Sequence, residues 1–257
     1  MKKSFIVLLL SVAFISCKKD KVADTSTGTL ELNFDNIAGS ADLVLTTGAY
    51  TNASSQDMKI TKFDYYISNI ILKKTDGSTY TVPQDSSYFL VKESDESSQH
   101  IELDDIPVGD YNGITFTLGV DSLRCTMDVS KRTGALDPAN GMYWSWNSGY
   151  IFLKLEGTST ASAMSGNAFQ YHIGGFGGMT SPTINNIKTI SLSFPSTGKV
   201  RTTNHVEAHI LADALKVLDG STNISIATSP MVMFSAASVD IANNYKNMFI
   251  VDHIHND

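Results

Sequence analysis

The stretch Gly141-Met142-Tyr143-Trp144-Ser145-Trp146-Asn147-Ser148-Gly149-Tyr150-Ile151-Phe152-Leu153-Lys154-Leu155-Glu156-Gly157 decides the fold class. Its second half alternates: Ile151, Leu153 and Leu155 against Phe152, Lys154 and Glu156, the period of a half-buried strand. Ahead of it, Pro138 and Asn140-Gly141 make a turn-rich approach, because Pro fixes φ and Asn-Gly tolerates positive φ. Both tryptophans of the chain, Trp144 and Trp146, lie here two residues apart. If the segment between them is extended, the indoles share a side, about 7 Å apart along the chain. Such a pair is either core packing, each ring burying a large area with one N–H to satisfy, or a site at the strand entrance.

Working outward, the same period of two recurs at 29–34, 59–73, 111–120, 169–173, 187–194 and 205–211. In 59–73, Phe63, Tyr65, Ile67 and Ile71 fall on one face and Tyr66, Ile70 and Leu72 on the other, as in a central strand. Ile106-Pro107-Val108-Gly109-Asp110 reads as a turn. Beyond it, Ile114, Phe116 and Leu118 share a face, predicted to meet Ile151, Leu153 and Leu155 in one core. Helical spacing is scarce: one or two turns at 213–218, stopped by Asp219-Gly220, and a helix over 238–249, where Val239, Ala242, Tyr245, Met248 and Phe249 follow serines suited to capping. The pattern predicts an all-β chain: a single-domain antiparallel β-sandwich over 28–257 with a short C-terminal helix.

The N-terminus reads differently. Met1-Lys2-Lys3 is basic, and residues 5–15 are an apolar run too short to span a bilayer as a permanent helix. The run ends in Phe14-Ile15-Ser16-Cys17, which resembles a bacterial lipobox. The expectation is a lipoprotein signal peptide at 1–16, a lipid on Cys17 that holds the chain to a membrane, and a polar tether at 17–27. The absence of Asp after Cys17, with the Lys/Asp cluster that follows, resembles Bacteroidetes-type lipoproteins. That implies an outer-membrane location, on the periplasmic face or the cell surface. Loss of Lys2 and Lys3 with the leader takes the formal charge from −7 to −9, with no basic stripe for nucleic acid. With Cys17 lipidated, only Cys125 remains, so no internal disulfide forms. Cys125 reads as a small packed residue, with a soft-metal alternative through Met127.

G-x-S-x-G, P-loop, H-E-x-x-H and zinc-spaced cysteine patterns are all missing from the sequence. The reading is a binding protein, not an enzyme. Gly174-Gly175-Phe176-Gly177-Gly178 reads as a loop needing unusual backbone angles. Among the histidines, His205 and His209 lie on one face of a strand about 13–14 Å apart, too far for one metal ion, and read as solvent-facing. His100 begins a strand with no partner in sequence. His253 and His255, at i and i+2, are closer candidate ligands in a tail that can fray. His172 interrupts the aromatic strand Phe169-Gln170-Tyr171-His172-Ile173-Gly174, and the glycines after it leave room for a ligand.

Several segments occur in a telling order: Phe63-Asp64-Tyr65-Tyr66-Ile67-Ser68-Asn69-Ile70, Ile106-Pro107-x-Gly109-x-Tyr111, Phe116-x-Leu118-Gly119-Val120-Asp121, Gly134-Ala135-Leu136-Asp137-Pro138, the W-x-W-x-x-G-Y-x-F-x-K-x-E-G stretch from Trp144, and Tyr171-His172-Ile173-Gly174. Together they resemble the MbnP-like family, named for proteins encoded beside methanobactin genes and related to the MopE/CorA-type copper proteins. The resemblance implies an extracytoplasmic β-protein that binds copper. It also implies a tryptophan oxidised to kynurenine, whose ring amine joins histidines around the metal, and a di-haem peroxidase-like partner that performs the oxidation. Trp144 and Trp146 match the two tryptophans of the motif, and His172 the histidine before glycine. Imidazole and an aromatic amine suit copper.

One departure stands out. In the MopE/CorA-type proteins a histidine ligand follows the oxidised tryptophan by two residues, and that place is Trp146 here. The second histidine is therefore unassigned, with His172 and the C-terminal His253 and His255 as candidates. Two other roles fit the residues: a surface module that captures glycan or protein on a platform of Tyr143, Trp144 and Trp146, and a structural envelope protein whose tryptophans are core.

Overall fold

The computed structural model describes residues 25–146 and 149–257. The expected signal peptide, Cys17 and most of the tether lie outside the described residues. The main strands are β1 (Thr27–Ala38), β2 (Asp57–Lys74), β3 (Tyr88–Lys92), β4 (His100–Pro107), β5 (Gly109–Leu118), β6 (Tyr143–Trp144), β7 (Gly149–Thr158), β8 (Ala168–Gly174), β9 (Lys188–Val200), β10 (Val206–Asp213) and β11 (Phe249–Asn256). A helix, α1 (Ala236–Tyr245), precedes the last strand.

Two sheets form the sandwich. The larger runs β9-β5-β2-β7-β8, with β3 also on β2 and β6 on β7. The smaller runs β11-β10-β1, with β4 along the other edge of β1. Neighbours are antiparallel except β1 and β10, which pair in parallel. Leu30, Leu32 and Phe34 turn inward from β1, where Phe34 meets Tyr65 at 6.2 Å, Phe116 at 6.0 Å and Phe249 at 5.9 Å between ring centroids. Edge-to-face packing of this kind adds about 0.5–1.5 kcal/mol per pair beyond area burial.

Ile114, Phe116, Leu118, Leu153 and Leu155 share that inner core as predicted, but Ile151 does not. The register of β7 on β8 shifts between Ile151 and Leu153, and a bulge of this kind inverts the facing of every residue before it. Ile151 therefore joins Tyr150 and Phe152 in a second cluster. The same thing happens in β2. Asn69 adopts φ +52 and the register on β5 shifts between Ser68 and Ile71. Ile70 and Leu72 thus pack with Phe63, Tyr65 and Ile67, and Tyr66 faces the second cluster.

This second cluster lies on the outer face of the large sheet, beneath the loop 119–146. Tyr66 and Tyr150 hold the loop down by donating to the carbonyls of Ala135 at 2.8 Å and Leu136 at 2.7 Å. Arg132 lies over the rings of Tyr143 at 4.6 Å and Tyr150 at 5.4 Å and donates to the carbonyls of Cys125 and Met127. Cys125 is packed within the cluster, its thiol 3.3 Å from the Val120 carbonyl. Burial pushes that thiol up to about 12, so it is inert rather than reactive. Met127 accepts from Arg124.

The C-terminus differs from the expectation of a fraying tail. The helix ends at Tyr245 and the chain returns as β11, paired to β10. Phe249 and Val251 alternate inward and anchor it.

Candidate metal centre

The short strand β6 pairs Tyr143 with Tyr150 and Trp144 with Gly149, then turns at Ser145 and Trp146. The two tryptophans therefore do not continue one extended strand. Trp144 is 5% exposed and Trp146 63%. The turn nonetheless folds the rings together, with centroids 5.2 Å apart and planes at 41°. Phe234 meets the Trp144 ring edge-on at 6.5 Å.

Gly174, at the end of β8, is what lets the indole lie on the strand. A Cβ at this position would collide with the Tyr150 carbonyl oxygen and stand 2.8 Å from Cζ3 of Trp144. After it, Gly175, Gly177 and Gly178 take φ of +113°, +94° and +94°, angles open to glycine. Gly175 and Gly178, with Gly149, Phe176 and Phe234, line a cavity of about 210 Å³, and Phe234 is the ring shared between its wall and the indole of Trp144.

His172 occupies the outward position two residues before Gly174 on the same strand, about 7 Å away by strand geometry. It pairs across to Lys154 of β7. Its Nε2 lies 2.6 Å from Oε1 of Glu156. That hydrogen bond, with the charges of His172, Lys154 and Lys62, holds the Glu156 carboxyl below its ordinary value against the opposing effect of burial. An ionised carboxylate only accepts, so Nε2 of His172 donates to it, and Nδ1 is the ring nitrogen left to offer a lone pair to a metal. Lys154, with its pKa lowered by burial, donates to the Gly141 carbonyl at 2.6 Å and ties β7 to the approach turn.

Trp144, Trp146 and His172 thus share the outer face of the large sheet. His253 and His255 stand on the outer face of the small sheet, on the other side of the sandwich, so they do not complete a centre at Trp144. As it stands, the indole pair offers no lone pair to a cation, and among the described residues His172 is the one imidazole on this face. The residues fit copper once an indole is converted to an aromatic amine. Glu156 is the partner that sequence reading missed. Its signal was present in the outward alternation of Lys154 and Glu156 within the tryptophan motif.

A family model described as MbnP matches residues 27–234, a span that holds Trp144, Trp146, Glu156 and His172. The chain belongs to the MbnP family. Among solved structures, it is similar to MbnP from Methylosinus trichosporium, with a TM-score of 0.55 and 14% identity over 90% of this chain and 99% of that one. At that identity the likeness is one of fold. No curated protein matches the chain. The MbnP match ends before β11, so His253 and His255 lie outside it.

Proposed function

We propose that this MbnP-family chain is a copper-binding protein of the outer membrane, not an enzyme, anchored by lipid on Cys17. Its ligands are His172 and a kynurenine formed from Trp144. The observation that supports this best is the seat of the Trp144 indole on Gly174, with His172 at the next outward position of that strand. Oxidation adds two oxygen atoms across the C2–C3 bond of the indole and opens the ring. Hydrolysis then releases the C2 carbon as formate and leaves a primary aromatic amine. This is a four-electron oxidation, and the oxidant is two molecules of peroxide, each reduced to water, handled by the di-haem peroxidase-like partner that the family resemblance implies. The amine provides the lone pair that the indole N–H lacks. Glu156 fixes the His172 tautomer and ring orientation, the arrangement that tunes many metal-bound histidines.

The test is copper titration of wild type and His172→Ala, each before and after peroxidative treatment, with tryptophan oxidation confirmed by mass. The expected result is a gain in affinity on oxidation that His172→Ala abolishes. Equal affinity in all four samples would overturn the proposal. For the anchor, a lipid-precursor label should mark wild type and not Cys17→Ala. Retention of the alanine variant on membranes after a carbonate wash would place the anchor elsewhere. The exposure of Trp146 favours a second reading, an aromatic platform for glycan. Saturable binding of a glycan series that is lost in Trp146→Ala, with no copper bound, would select it.

A further inference from the structure

Five of the six histidines in the chain lie on the outer face of the small sheet or at its edge: His100, His205, His209, His253 and His255. Glu31 accounts for two of them, with Oε1 2.6 Å from His100 and Oε2 3.0 Å from His205. The others form a separate group about a break in strand pairing. His209 of β10 faces His253 of β11, but the next pair is Ile210 with Val251, leaving Asp252 as the extra residue of a bulge. Adjacent residues of a regular strand point to opposite faces. The bulge cancels that alternation, so Asp252 and His253 both come to the side of His209.

Among the described residues, His209, Asp252 and His253 offer ligand atoms all within 4.8 Å of one another. Oδ2 of Asp252 stands 2.7 Å from Nδ1 of His253 and 3.8 Å from Nδ1 of His209. Two donors about 2.0–2.2 Å from one tetrahedral ion sit roughly 3.4 Å apart, so small side-chain rotations bring these distances to a common value. The rings of His209 and His253 stack at 4.6 Å and 18° and must splay to share an ion. Nδ1 of His209 is buried and makes no hydrogen bond, a position that is costly for a polar atom unless something occupies it.

The remote nitrogens complete the picture. If His253 binds through Nδ1, its Nε2 carries the proton, and the Nε2 of His255 stands 2.8 Å away to accept it. Nε2 of His209 faces the Asp35 carboxylate at 3.5 Å. Metal-bound histidines commonly hold such a partner on the other nitrogen.

The geometry points to a second metal site, for a borderline divalent transition cation such as zinc, held by His209, Asp252 and His253 and oriented by His255 and Asp35. Two imidazoles and a carboxylate suit that class of ion. The site needs no oxidised residue and stands apart from Trp144 and His172.

Zinc alone is the probe, titrated by competition with a chromophoric chelator into the full chain without a polyhistidine tag and without peroxide treatment. One zinc per chain should bind. His209→Ala and Asp252→Asn should each weaken binding at least tenfold, and His255→Ala about tenfold. His172→Ala and Glu31→Gln should leave it unchanged. Ring ¹⁵N spectra of wild type, which need no variant to fold, should show Nδ1 of His209 and His253 shifting on zinc addition while His100 and His205 stay put. No bound zinc, affinity indifferent to His209→Ala and Asp252→Asn, or unshifted His209 and His253 resonances would each overturn the site.

Discussion

The two outer faces of the sandwich treat the same problem in opposite ways. On the large sheet, a loop covers the strands and buries aromatic rings under it, from Tyr66 and Tyr150 to Trp144. On the small sheet, the strands stay open, and Glu31, Asp35, His209 and His253 stand in partial contact with water. The first face has shape and a cavity but just one imidazole, so the proposed copper affinity depends on the proposed oxidation of Trp144. The second has lone pairs in place from the moment the chain folds. Sheet topology alone shapes neither face: a covering loop and a glycine shape the first, and a single bulge gathers the side chains of the second.

The largest expected effects test whether the covered face is packed like a core. Trp144→Ala should cost about 3–5 kcal/mol, the range for buried aromatic truncations, measured by urea unfolding. Phe116→Ala, between the sheets, should cost the same. Trp146→Ala, an exposed ring, should stay within about 0.5 kcal/mol. Equal losses at Trp144 and Trp146 would break the division between a buried ring and an exposed one.

A smaller effect sharpens the role of Gly174. Gly174→Ala drives a methyl against the Tyr150 carbonyl and the Trp144 ring, an overpacking that should cost about 1–3 kcal/mol. Near-ultraviolet circular dichroism should report a moved indole, while zinc binding at the histidine face stays at the wild-type value. An unchanged spectrum would mean that the indole does not rest on this strand.

The smallest is a pH effect at Glu156. Its folded-state pKa lies below the ordinary value, which is roughly 4.3 for an unfolded glutamate. A depressed carboxylate contributes stability above that unfolded value and loses it as pH falls through the folded one. Glu156→Gln should therefore be less stable than wild type at pH 7, with the gap closing below about pH 4. A gap that persists into acid would assign the loss to packing instead of charge.

The limits of sequence reading follow the same contrast. Alternation in 29–34, 111–120 and 151–155 was enough to reveal the sandwich and most of its core, because period two leaves few other folds. The places where it failed are bulges. Ile151, Ile71 and the Asp252-His253 pair all sit beside a register shift, and no residue type marks those shifts in advance. His172 stood out because it interrupts an aromatic strand before glycines. His209 did not, because its distance to His205 along one strand said nothing of His253 on the next. That neighbour exists only once β11 folds back beside β10.

The most direct measurement is pulsed electron paramagnetic resonance on the oxidised, copper(II)-loaded chain carrying ¹⁵N in its tryptophan rings. His209→Ala in the background silences the histidine face. The account predicts strong coupling of copper to a tryptophan-derived nitrogen, retained in Trp146→Phe and absent in Trp144→Phe and in His172→Ala. Coupling that survives Trp144→Phe, or copper bound with no tryptophan-derived nitrogen, would contradict it.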